Sequence, residues 1–299
     1  MAGELITGDQ QIQWAGLLLG DGTPYTVTRV TGWSSRPPVS SGTSQRAQQH
    51  GARPGRLLSQ ARTIGIDLRL TGPNTNFPAV LQALEDATAI RQDEEPLVVQ
   101  VAGRQLLVTA RVTDRVIPND LDFTACVPVV ALLLEATDPR RYAVAEQTAS
   151  SALPAPESGL SWGTPTETGL SWGTPVESGL SWGTPGSTGD ITVTNPGNAE
   201  ISPVIEFRGP VTTPALSFGN LRLEYDITLA ASDVLVVDTW AGTVTLAGQD
   251  RLGTATLRSA PEGAFLLPPG ATTTLNFRAS PGSTNPAASA TVRWRSAYW

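Results

Sequence analysis

The spacing of apolar residues changes period several times along the first half of this chain. Residues 63–70 alternate, with Ile64, Ile66, Leu68 and Leu70 on one side, which predicts a half-buried strand. Residues 12–19 and 25–33 predict two more strands, joined through the dense turn signal Gly20-Asp-Gly-Thr-Pro24. Over residues 76–91 the period becomes helical: Phe77, Val80, Leu81, Leu84, Ala87 and Ile90 recur at three- and four-residue steps. Asn76 is placed to cap this helix, and Pro78 falls in its first turn, where proline is tolerated. Strands resume at residues 97–101, 104–116 and 121–135, with a tight hairpin at Ala102-Gly103. Residues 34–59 have no period and are rich in Gly, Pro, Gln and Arg, so they predict a long loop; loops of that length serve a function or a partner.

The last third is patterned for β-structure throughout. Strands are predicted at residues 190–195, 204–208, 215–218, 221–226, 233–238, 243–246, 254–258, 272–278 and 288–295. Turn signals separate them at short intervals, among them Asn195-Pro-Gly-Asn198, Gly219-Asn220 and Pro268-Pro-Gly270. Many short strands with even turn spacing predict a β-sandwich.

Between the two patterns lies a decapeptide in three tandem copies, starting at Glu157, Glu167 and Glu177. Each contains Gly-Leu-Ser-Trp-Gly-Thr-Pro, whose glycines and proline exclude a helix. Leu160 and Trp162 stand two residues apart, as do Leu170 and Trp172, and Leu180 and Trp182, so in an extended chain each pair faces one way. The strip therefore docks on a partner or a sugar, or it packs on its own flanking domains. The expected organisation is a β domain with one helix at 1–145, a linker holding the repeats at 146–187, and a sandwich at 188–299.

Composition narrows the chemistry. All 20 basic residues are arginine, which removes Schiff-base lysines and the phosphate-loop lysine. The net charge of −7 carries no overall nucleic-acid footprint. One basic stretch runs from Arg29 to Arg69, opposed only by Asp67, and reads as a surface matched to an acidic neighbour. The single cysteine, Cys126, allows no disulfide within the chain and sits in an apolar run as a core residue. With one histidine, His50, and one cysteine, no zinc set forms, and no Gly-x-Ser-x-Gly elbow, calcium loop or phosphate loop is present. Residues 1–6 lack the basic and apolar pattern of a signal peptide. The most apolar run, residues 125–134, is interrupted by Pro128 and too short to span a bilayer. These features predict a soluble protein made in a cytoplasm, without membrane insertion, cofactor, metal or catalytic residues.

The order of features resembles the distal tail proteins of long-tailed, siphovirus-type bacteriophages. The resemblance runs from Gly32-Trp33, through the basic segment with His50-Gly51 and Arg62-Thr-Ile-Gly-Ile-Asp-Leu68, to the helix and to Ala136-Thr-Asp-Pro-Arg-Arg-Tyr142. It continues through Asn195-Pro-Gly-Asn-Ala-Glu-Ile-Ser-Pro203, Asp233-Val-Leu-Val-Val-Asp238 and the terminal Trp294-Arg-Ser-Ala-Tyr-Trp299. The Gly-Leu-Ser-Trp units look like expanded copies of a short connector in such proteins.

The resemblance implies a mostly β fold with one α-helix: an N-terminal split β-barrel-like domain and a C-terminal galectin-like sandwich. It implies a structural virion protein of the tail tip, made in the host bacterial cytoplasm. The N-terminal domains of a homo-hexamer would form a ring between the tail tube and the tip. Expected partners are the tail tube protein, the tape-measure protein and tail-tip proteins, with DNA only in transit through the lumen and host surface glycan as a further ligand. A ring needs a heterologous interface that closes. The basic loop, through Arg53, Arg56 and Arg62, is expected to meet a neighbour's acidic patch near Glu85, Asp86, Asp93, Glu94 and Glu95, and Trp162, Trp172 and Trp182 are the other expected interface residues. A carbohydrate-binding module or adhesin for cell-wall sugars is the alternative; a tail-associated hydrolase is disfavoured by the missing histidine and metal sets.

Overall fold

One antiparallel sheet carries the first unit. Its strands in chain order are β1 (Ile12–Trp14), β2 (Leu17–Leu19) and β3 (Tyr25–Thr31), then the short β4 (Val39–Ser41), β5 (Ser44–Gln45), β6 (Ala52–Arg53) and β7 (Leu57–Ser59), then β8 (Arg62–Leu70). Helix α1 (Phe77–Ala87) follows, then β9 (Glu95–Val101), β10 (Arg104–Val116), the short α2 (Leu121–Thr124), β11 (Val129–Ala136) and β12 (Arg141–Ala143). The sheet order is β2-β1-β9-β10-β11-β8-β3, with β12 attached to β10. The computed structural model describes residues 2–71, 76–155, 186–283 and 285–299.

Strict alternation places the core. In β8, Ile64, Ile66, Leu68 and Leu70 point inward, and in β11, Val130, Leu132, Leu134 and Ala136 do the same in register beside them. Helix α1 lays Phe77, Val80, Leu84 and Ala87 on this face. Each such aliphatic side chain contributes roughly 1.5–3 kcal/mol by leaving water. Two aromatic residues fix the helix: the Tyr25 hydroxyl donates to the Val80 carbonyl at 2.8 Å, and the Trp14 indole donates to the Ala87 carbonyl at 2.8 Å.

Several expected bounds shift, each for a local reason. The helix stops at Ala87 rather than Arg91 because its last carbonyls are already taken. Trp14 holds that of Ala87, Arg115 Nη1 that of Glu85, and the Thr88 hydroxyl that of Leu84. Ile90, assigned by period to the helical face, is therefore 93% exposed in the following loop. Residues 12–19 form a hairpin, not one strand, turning at Ala15 and Gly16, both with positive φ. Residues 121–135 begin with α2, because the Asp120 carboxylate accepts the Phe123 N–H at 3.0 Å and caps a helical turn. Phe123 then packs edge-on against Phe77, with ring centres 5.4 Å apart. Residues 34–59 are not a plain loop but a pair of two-stranded ladders, β4 with β7 and β5 with β6.

The second unit comprises residues Glu146–Arg295, while Ser296–Trp299 belong to the first. Its strands are β13 (Gln147–Ala152), β14 (Asp190–Asn195), β15 (Val204–Arg208), β16 (Val211–Thr212), β17 (Ala215–Phe218), β18 (Leu221–Glu224) and β19 (Thr228–Leu229), followed by β20 (Val234–Asp238), β21 (Thr243–Leu246), β22 (Gln249–Asp250), β23 (Ala271–Arg278) and β24 (Ser289–Trp294). A final strand, β25 (Ala297–Tyr298), pairs with β12 in the first unit's sheet. A six-stranded sheet, β13-β24-β15-β20-β21-β22, faces a four-stranded one, β14-β23-β17-β18. Phe207 of the larger sheet meets Phe277 of the smaller at 5.9 Å, with Ile191, Leu216, Leu235, Val237 and Val292 buried around them.

The expected linker at 146–187 thus loses its first residues to β13, which pairs with β24 over its whole length. Residues 254–258 form no strand; that segment runs along the β18 edge, where Thr256 N–H bonds to Glu224 O at 2.9 Å and Ala260 N–H to Arg222 O at 2.7 Å. The repeats, with Trp162, Trp172 and Trp182, lie outside the described residues. Among the described residues no helix is long and apolar enough to cross a membrane.

Candidate assembly interface

The two ladders of residues 39–59 form an arm that leaves the sheet after β3 and returns at β8. Its two chains touch where the ladders meet. A Cβ on Gly55 would lie 2.2 Å from the Gly42 carbonyl carbon, so the close approach requires glycine there. The arm carries Arg46, Arg53 and Arg56 and no acidic residue. Arg53, in β6, and Arg56, between β6 and β7, are exposed as expected of contact residues, and His50 is exposed at the tip. Beside Arg56 stand Leu57, 65% exposed, and Leu58, 53% exposed. Neighbours on a strand point to opposite faces, so the arm shows an apolar side chain on each face. These leucines were not picked out in the sequence, although an adjacent apolar pair inside a polar, aperiodic stretch is the signal that marks them.

Arg62 differs from expectation. It is 1% exposed and serves as the clamp at the arm's root, not as a surface cation. Its Nε donates to the Pro139 carbonyl at 2.7 Å. Its Nη1 donates to the carbonyls of Gly32, Trp33 and Ser35 at 2.6, 3.0 and 2.8 Å. The alternation of β8 turns this side chain inward with Ile64 and Ile66, and one guanidinium then ties both ends of the arm to the turn at residues 137–140. Gly32 permits the contact, since a Cβ there would fall 1.9 Å from the Thr63 carbonyl oxygen.

The expected acidic patch is divided by local bonds. Glu95 pairs with Arg91, Glu94 accepts the Thr137 N–H at 2.8 Å, and Asp86 accepts the Gln82 amide at 2.8 Å. Glu85 and Asp93 engage no side chain among the described residues and, with exposed Ile90 close by in sequence, leave a mixed acidic and apolar edge beside α1. On the sheet strands, Arg29 pairs with Asp67 at 2.8 Å and Arg111 with Glu135 at 3.1 Å.

The segment that closes the first unit owes its sequence to a buried ion pair. Arg140 Nε and Nη2 each donate to Asp138 at 2.9 Å, and the Tyr142 hydroxyl donates to the same carboxylate at 2.5 Å. Burial, then the charge of Asp138, pushes the Tyr142 hydroxyl pKa far up, so it stays a neutral donor. In the second unit the Trp294 side chain is buried and donates to the Thr194 carbonyl at 3.1 Å, whereas Trp240 is 53% exposed on the β20–β21 turn. Among the described residues no group of His, Cys, Asp and Glu is arranged to hold a metal ion.

No protein-family model matches the sequence, and no curated protein matches it. The fold does have solved relatives. The crystal structure of the SPP1 Dit (gp 19.1) protein, described as a paradigm of the hub adsorption apparatus in Gram-positive infecting phages, aligns with a TM-score of 0.62 over 97% of this chain and 99% of that one. The phage P2 baseplate in its activated conformation with Ca aligns at 0.48 and 8% identity, covering 91% of each chain. The same baseplate with Sr aligns at 0.49 and 8% identity, over 95% of this chain and 96% of the other. The expectation of a mostly β fold, with a split β-barrel-like N-terminal domain and a C-terminal galectin-like sandwich, is borne out at the level of the fold, with several antiparallel sheets, no closed barrel among the described residues, and the short α2 beside the one helix expected. At 15% identity and over nearly the whole of both chains, this protein has the fold of the SPP1 Dit protein.

Proposed function

We propose that the chain is a structural virion protein: a distal tail protein whose first unit assembles with five other copies into a ring joining the tail tube to the host-recognition tip, without enzymatic activity. The observation that carries this reading is the likeness to the SPP1 Dit protein, described as a hub, across 97% of the chain. The arm supports it independently. A β-arm with an apolar residue on each face and unopposed arginines has little to bind within its own protomer, and it suits a neighbouring copy whose edge offers Glu85, Asp93 and Ile90. Head-to-tail contact of this kind, arm to edge, closes into a ring when the rotation allows. The tail tube, the tape-measure protein and the tip proteins are the partners this role entails.

The test is the mass of the full chain in solution. Six copies of a 31.4 kDa chain give about 190 kDa, and light scattering at rising concentration and low salt is expected to approach that value. A strict 31.4 kDa protomer under all such conditions removes the ring. Glycan-array binding by a protomer of that kind would move the reading to a sugar-binding module.

A further inference from the structure

Between the β1–β2 turn and the last turns of α1 lies an open hollow of about 320 Å3. Residues 15–17 line it on the hairpin side, and Ala83, Asp86, Ala87 and Arg91 on the helix side. Positions 83 and 87 stand one helical turn apart on the same side, and alanine at both leaves room that a longer side chain would fill. The two walls are tied to each other, because the Trp14 indole, just before the turn, donates to the Ala87 carbonyl at 2.8 Å. The surplus charge here is negative. Arg91 is matched by Glu95, whereas the Asp86 carboxylate accepts only from the neutral Gln82 amide, and Glu85 engages no side chain among the described residues.

One face of the arm has the complementary character. The register of β4 with β7 sets Ser40 opposite Leu58, and the Gly42 N–H donates to the Arg56 carbonyl at 3.3 Å, which carries the pairing on to Arg56. Alternation then puts Leu58 and Arg56 on the same face, opposite residues too small to cover either, and both are exposed. Leu57, on the other face, has Ser41 and Ser59 around it and no cation. Only the Leu58 face offers an aliphatic knob with an arginine two residues away.

We infer that the hollow is the seat of the arm: Leu58 of one copy enters between Leu17, Ala83 and Ala87 of the next, and Arg56 beside it meets Asp86 and Glu85. This rests on the ring reading above and adds to it the side chain bound, the residues that bind it and the face of the arm used. An aliphatic anchor in a small hollow, with a charge pair at its side, fixes the register of the contact as well as its strength. Knob and seat are different parts of one chain, so the contact is head-to-tail and repeats from copy to copy.

Cross-linking tests the seat directly. Leu58→Cys and Ala83→Cys are made separately in the full chain, mixed and oxidised. Both positions are exposed, and Cys126 is present in each, so each variant oxidised alone is the control. The expected product is a covalent pair of chains in the mixture and in neither control; the chain carrying both substitutions is expected to give a ladder of covalent multiples. A further variant, Ala83→Trp, fills the hollow from an exposed position. It is expected to keep the protomer's Tm and to weaken self-association by about tenfold or more, as for loss of a buried anchor. Rings that give no cross-link and tolerate Ala83→Trp overturn the seat and leave the ring reading standing. Protomers alone at every concentration overturn both. Oxidation of the double variant within one chain, without gain in mass, also overturns the seat, since the arm would then lie on its own helix.

Discussion

Single side chains in this protein do work that their residue type alone does not announce. Arg62 occupies an inward position of a strand and spends its donors on backbone oxygens, so it organises a turn instead of meeting a partner. Glu224 gives a case with a pH signature. Burial pushes its carboxyl pKa up, but hydrogen bonds from Arg222 and Thr256 and the charges of Arg222 and Arg258 outweigh this, and the net shift is downward. A depressed carboxylate contributes stability above its unfolded pKa of about 4.3 and loses that contribution as pH falls through the lower folded value. The sandwich is therefore expected to lose stability as pH drops below about 4.3, and Glu224→Gln to lower Tm at neutral pH while flattening this acid limb. Circular dichroism melts from pH 7 to pH 3 check both; parallel curves for the two proteins would refute the assignment.

At the scale of elements, the arm is the part that the proposed ring assigns to a neighbouring copy. It adds little to the core: Leu57 and Leu58 stay open to solvent, and the ladders β4–β7 and β5–β6 involve only short strands. The pair of substitutions Leu57→Ser and Leu58→Ser is expected to leave protomer stability within about 0.5 kcal/mol, as for other exposed positions. Self-association is expected to weaken by roughly 1–2 kcal/mol per leucine, because each would be covered only in the assembly. Charge reversal at Arg53 and Arg56 is expected to act in the same direction and to be partly mimicked by salt. Sedimentation velocity on the variants measures the association. A loss of folding without a change in association would place the arm inside the protomer's own energetics. Most of this element was legible from residues 34–59 as a long aperiodic segment. Its pairing was not, because ladders of two or three residues leave no alternation long enough to read.

On the scale of the whole molecule, the two units are connected twice. The chain leaves the first unit at Ala145 and returns to it at Ser296. The returning residues are integral there: Ala297 is fully buried, Ala297–Tyr298 pairs with β12, Ala143 N–H bonds to Ser296 O at 2.9 Å, and Arg104 covers Tyr298. A fragment ending at residue 145 therefore lacks a strand of its own sheet. Deleting Ser296–Trp299 is expected to destabilise the first unit by about 1–3 kcal/mol, the range for losing a buried pairing and a cation–π contact. Hydrogen exchange at β12 and β10 reports it, with protection falling there and staying constant in β14 and β23. Equal protection in the truncated and full chains would contradict the role given to β25.

The sequence by itself determined the local periods and what they exclude. Alternation in β8, helical spacing from Phe77 to Ala87, and closely spaced turns after residue 190 each follow from a side-chain period that one segment carries alone. The scarcity of histidine, cysteine and lysine likewise needs no coordinates to set aside whole classes of chemistry. Tertiary structure decided whatever depends on partners distant in the chain. Helix α1 ends where Trp14 and Arg115 take its carbonyls, from 73 and 30 residues away. Arg62 is a clamp because Pro139, 77 residues on, offers it a carbonyl. Residues 296–299 join the first unit because β12 has an edge to pair. In each case a backbone group had to be satisfied, and only the fold brings its partner within hydrogen-bond distance.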